Sequence, residues 1–157
     1  MSLGSAAEKL RGIGVETVGV IATAAEPARR YFSYRRPRYL VAADPDLVTH
    51  RAFGVPNSVF TAELFALVNA KVDDLARQAG TSVAEGGGWE ALDREDRVDR
   101  KAFAEEMERH QAQLTGQFLI DRAGIVRWTN IECERDGLEG LDRFPTDDEL
   151  LEAARTL

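Results

Sequence analysis

One thiol, two imidazoles, a knot of arginines and a run of glycines are the features of this 157-residue chain whose chemistry could be more than packing. The thiol is Cys133, the single cysteine, set between Glu132 and Glu134. A nucleophilic thiolate wants a lowered pKa, from a helix N-terminus or from nearby cations. Two acidic neighbours oppose that, although Arg135 is close, so Cys133 reads as a structural or incidental cysteine. A resolving or redox-sensing thiol is the alternative. One cysteine also rules out an internal disulfide, a C-x-x-C pair and a four-cysteine zinc site. His50 and His110 fall on expected helices with no second ligand in register, and neither is assigned a role. Glu105, Glu106 and Glu108 resemble a solvated helix face rather than a metal cage. No metal site and no cofactor site is therefore expected.

Arg29, Arg30, Arg35, Arg36 and Arg38 cluster within ten residues, interleaved with Tyr31, Tyr34 and Tyr39. Arginine beside aromatic rings can hold phosphate or stack on bases. The plainer reading is a solvated helix end, where cations suit the helix dipole. An anion contact at segment 29–38 is kept as the sharper expectation. Gly86-Gly87-Gly88 could cradle a phosphate, but no strand leads into it and no Lys-Ser/Thr follows, so it reads as a flexible connection. Asp44 and Asp121 sit in Asp-Pro and Asp-x-x-Gly contexts, where a carboxylate satisfies backbone N–H groups.

These residues need elements to place them. Ser5 to Arg11 reads as the end of a helix with Ala6, Ala7 and Leu10 on its apolar side, stopped by Gly12 and Gly14. Val15 to Ala22 is β-branched and apolar, as a buried parallel strand would be. Thr23 is a candidate N-cap for a helix running through Pro27 to about Tyr34. Arg38 to Ala43 is a second strand. Asp44-Pro45-Asp46 then offers a capping aspartate and a proline at the first position of a helix from about Asp46 to Phe53. Strand, helix, strand, helix at this spacing predicts a parallel sheet.

Thr61 to Ala79 carries the strongest helical period, with Leu64, Phe65, Val68, Val72, Leu75 and Ala76 on one core-facing stripe. Asp93 to Gln113 reads as a charged surface helix that turns Val98, Phe103 and Met107 inward, with Leu114 just beyond. Phe118 to Asp121 and Ile125 to Trp128 flank Asp-Arg-Ala-Gly and predict an antiparallel hairpin with Phe118 and Ile120 on one side. Thr146 with Glu149 fits a capping box opening a last helix, with Leu150, Leu151 and Ala154 apolar.

The composition bounds the partners. Hydrophobic residues make up 44% and charged residues 30% of the chain, as in an ordinary folded domain. A chain of this length buries about two-thirds of its unfolded surface and needs no disulfide or metal to hold it. The formal net charge of −7 disfavours nucleic acid as a partner. No apolar run approaches the roughly 20 residues of a membrane span. The opening Met1 to Gly4 has no basic region followed by an apolar stretch, which predicts no secretory leader and, by default, a cytoplasmic location.

Three segments together resemble the alkyl-hydroperoxide-reductase/thiol-specific-antioxidant family, the peroxiredoxin-like proteins. They are Gly14 to Ala22, Tyr39 to Val55 with its Asp44-Pro45 and its Phe53-Gly54-Val55, and Gly116-Gln117-Phe118-Leu119-Ile120-Asp121 followed by Gly124-Ile125-Val126-Arg127. The resemblance covers roughly residues 10–56 and 114–157. It implies an α/β, thioredoxin-like fold: a central mixed sheet with helices on both faces and a helical insertion, residues 57–113, before the C-terminal hairpin, all in one domain. It implies a redox-family protein, a thiol-dependent oxidoreductase or antioxidant in its complete form. The family's active-site strand and cysteine would precede residue 1, and Thr115 stands about where its peroxide-binding arginine would be. No catalytic residue carries over. The chain is then a piece of a longer redox protein, or a non-catalytic binding or assembly module on the same fold. Without the strand between those matching Val15–Ala22 and Phe118–Asp121, the sheet would have open edges, which predicts a homodimer.

Overall fold

A computed structural model of the chain describes residues 3–34, 36–59, 61–78, 80, 87–90, 105, 108–110 and 112–157. The chain divides into two compact units, Met1–Pro56 with Gln113–Leu157, and Asn57–Ala112. Both helices and strands are present, and the strands pair two by two.

In the first unit, α1 (Leu3–Arg11) leads into β1 (Val18–Ile21), α2 (Ala25–Tyr34), β2 (Leu40–Ala43) and the short α3 (Val48–Ala52). The chain later returns as the hairpin β5 (Gly116–Ile120) and β6 (Val126–Ile131), a 3-10 turn (Gly137–Gly140) and α5 (Asp147–Ala154). β1 and β2 are parallel, with Val18 beside Leu40 and Ile21 beside Ala43. A parallel neighbour needs a crossover, and α2 supplies it. β5 and β6 are antiparallel, as the hairpin pattern predicts.

The apolar side expected of α1 is the buried one: Ala6, Ala7 and Leu10 are buried. Leu10 meets Leu119 of β5 and Ala154 of α5, with Val15, Trp128, Leu151 and Ala153 packed around them. The Lys9 ammonium reaches the Asp147 carboxylate at 2.7 Å and pins α1 to the first turn of α5. The expected capping box at α5 is complete. Thr146 Oγ1 accepts from the Glu149 N–H, and the Glu149 carboxylate accepts from the Thr146 N–H at 2.7 Å.

The expected single central sheet is seen as separate pairs. Among the described residues β1 pairs only with β2, and β5 only with β6. The Ile21 carbonyl accepts from the Asp44 N–H, so Ile21 and, by alternation, Gly19 turn their polar groups toward β2. Val18 and Val20 then turn theirs toward the opposite edge. The Glu132 N–H donates to the Thr115 carbonyl, so Gln117 and Leu119 face β6 while Gly116 and Phe118 face outward. β1 is not the buried strand its apolar run suggests. Val18 keeps 57% of its surface exposed and Leu40, beside it on the same face, 71%. An apolar run becomes a buried strand only when further strands or helices cover it, and periodicity cannot tell whether they do.

The second unit is built on α4 (Ala62–Gln78). The two-residue strands β3 (Asn57–Ser58) and β4 (Ala112–Gln113), at the unit's two chain ends, pair with each other. Thr61 Oγ1 accepts from the Leu64 N–H at the helix start. Leu64, Val72 and Ala76 are buried as the stripe predicts, whereas Phe65 and Leu75 are exposed. Asp73 takes a buried place instead. The reason is Gly88, whose N–H donates to Asp73 Oδ1 at 2.8 Å. Gly88 lies so close to α4 that a Cβ on it would stand 2.8 Å from the Asp73 Cα. The glycine run is therefore, at Gly88, a buried contact rather than a flexible connection. Gly86 lies outside the described residues. So do Val98, Phe103 and Met107 of the expected charged helix, of which Glu105 and 108–110 are helical. That expectation fails at its end, since Gln113 is in a strand.

Candidate functional site

The strongest concentration of polar chemistry in the first unit is the turn that follows β2. Asp44 is the first residue past the strand, and its side chain is 7% exposed. Its Oδ1 accepts from the Val48 N–H at 2.8 Å, and its Oδ2 from the Thr49 N–H at 2.8 Å and the His50 N–H at 3.3 Å. These are the orphan donors of the first turn of α3. The His50 imidazole closes the group, with Nδ1 3.2 Å from Asp44 Oδ2. Burial pushes the Asp44 carboxyl up, but the His50 contact and the three backbone donors outweigh it and hold the pKa at about 2.

Asp44 is the capping residue the sequence predicts, but the helix it serves begins later than expected. α3 starts at Val48 rather than at about Asp46, because Leu47 takes the N-cap position in the left-handed conformation, φ 54° and ψ 33°. That turn carries the backbone N–H groups back over the carboxylate. It also brings the imidazole six positions on within reach, so His50, read as having no ligand in register, forms a part-buried pair with Asp44. No spacing rule for helix or strand flags such a pair. An Asp at a strand end followed by a His in the next short helix was the only available signal.

A second carboxylate braces the other end of the unit. Glu132, directly after β6, is buried. Its Oε2 accepts from the Thr115 N–H at 2.9 Å and its Oε1 from the Asp142 N–H at 2.7 Å. Thr115 therefore spends its backbone on Glu132, its N–H on the carboxylate and its carbonyl on the Glu132 N–H. Cys133 follows in a left-handed conformation, φ 63°. Its thiol is half-buried, and burial, then the Glu132 charge, push its pKa up from the ordinary value. The bias is opposite to that of an activated thiolate.

The hairpin turn supplies the third carboxylate. Asp121 Oδ1 accepts from the Ala123 and Ile125 N–H groups, each at 2.9 Å, and its Oδ2 from Arg127 Nε at 2.7 Å. The Ile125 N–H, the Arg127 guanidinium and the Ala123 N–H hold its pKa below the ordinary value against burial. Gly124 takes φ 80°, which the tight turn requires. Asp121 is thus the turn residue the sequence suggests. Beside it the ladder slips: Leu119 pairs with Trp128 but Ile120 with Val126, leaving Arg127 as the extra residue.

The arginine segment is partly neutralised. Arg38 pairs with Glu8 of α1, and Arg30 with Glu26 one turn back in α2 at 3.5 Å. Arg29 and Arg36 are exposed, and Arg35 lies outside the described residues. The Tyr39 ring covers Gly19, where a Cβ would come within 2.9 Å of it, and burial, then the nearby Tyr31, raise its hydroxyl pKa. His110 is buried in the second unit.

Among the described residues no group of three His, Cys, Asp or Glu side chains is placed to hold a metal ion. Among them, too, no helix is long and apolar enough to cross a membrane. No family model, no curated protein and no solved structure matches the chain.

Proposed function

We propose that this chain is a thioredoxin-like domain of the peroxiredoxin-like kind that works as a non-catalytic binding or assembly module. The observation that carries the absence of thiol chemistry is Cys133: the one thiol of the chain is half-buried, follows Glu132 and has a raised pKa. A thiol protonated at neutral pH is a poor nucleophile toward peroxide or disulfide. The carboxylates at Asp44, Asp121 and Glu132 are engaged with backbone donors, which suits a scaffold. The thioredoxin-like reading is supported by the order of elements. A parallel β-α-β pair comes first, then an antiparallel hairpin and a closing helix, with an Asp-capped turn after β2. The redox label for a complete form, a thiol-dependent oxidoreductase or antioxidant, rests on that analogy of fold.

Insulin reduction and peroxide consumption test the reading, each with a Cys133→Ser control. Both rates are expected at background for both proteins. Turnover above background that disappears in Cys133→Ser overturns it.

The same reading includes a homodimer, supported by the outward-facing backbone groups of β1 and β5. An unguarded strand edge is a ready template for a second chain, and two-fold symmetry makes the exchange reciprocal. Light scattering at micromolar concentration is expected to give twice the 17.4 kDa chain mass. A monodisperse species at the single-chain mass refutes this part alone and leaves the enzymatic result standing. Among the described residues of segment 29–38, Arg29 and Arg36 are the arginines proposed for an anion contact, and a cytoplasmic location completes the reading.

A further inference from the structure

We draw no further inference here: the strongest candidate, the exposed apolar face of the β1–β2 pair around Val18 and Leu40, carries nothing because nothing in the structure shows what covers it.

Discussion

The β1–β2 pair and the β5–β6 hairpin each meet an aspartate at the end of a strand, and the two aspartates do the same local work in different surroundings. Asp44 follows β2 and gathers three N–H groups of α3 and one imidazole around a buried carboxylate. Asp121 follows β5 and gathers two N–H groups of a tight turn and a guanidinium that is 56% exposed. Water can replace the partners of Asp121 when they let go. It reaches the buried Asp44 carboxylate and its part-buried bonds less easily, so a lost bond there costs more. A turn inside a hairpin also draws on the adjacent ladder for its geometry. The left-handed Leu47 has no ladder beside it and depends on the carboxylate.

The largest expected effect is therefore at Asp44. Replacing it with Ala strands the first-turn donors of α3 and the His50 ring, and thermal unfolding should drop by roughly 5–10 °C for a chain of this size. A drop no larger than that of the matching change at Asp121 would erase the distinction between the two turns.

Acid should act on Asp44 with a defined sign. Its carboxyl is held at about 2 in the folded chain against an ordinary 3.8. The stabilisation is therefore complete above about pH 4 and is lost as pH falls through about 2. Carboxyl NMR on the folded protein should show Asp44 still ionised at pH 3. A midpoint at or above 3.8 would mean that the donors do not hold it as placed.

The smallest effect belongs to Asp121→Ala, where solvent and the ladder soften the loss. A fall of about 2 °C is expected in the same thermal scan. Amide exchange should quicken at Ala123 and Ile125, whose N–H groups lose their acceptor, with little change along β5. Global loss of protection would show that the hairpin depends on its turn as heavily as α3 depends on Asp44.

Much of this was legible because it is local. The capping box at Thr146 and Glu149, the Asp-x-x-Gly turn and the apolar side of α1 each lie within a few residues, where type and spacing suffice. The pairing of β1 with β2 followed from the alternation of strand and helix. What stayed hidden depends on contacts that spacing does not encode. Glu132 finds its two donors 17 and 10 positions away. Gly88 meets Asp73 across 15 positions and turns an apparent linker residue into a buried one. His50 meets Asp44 only because Leu47 adopts a backbone conformation that leucine rarely takes. The exposure of Val18 was hidden for the opposite reason. An apolar strand announces what it could bury and not what arrives to bury it.

The packing of α1 against α5 also has a cost in time. Lys9 and Asp147 are 138 positions apart, and Leu10 waits for Ala154 over a similar span. At ordinary rates of ribosomal synthesis, α1 emerges on the order of ten seconds before its partner helix. Throughout that interval Ala6, Ala7 and Leu10 lie bare on the nascent chain. The hairpin, with its partners a few residues apart, can close as soon as it leaves the tunnel. α1 is thus made well before the helix it packs on, and a chaperone that binds short apolar helices would meet the chain at this segment.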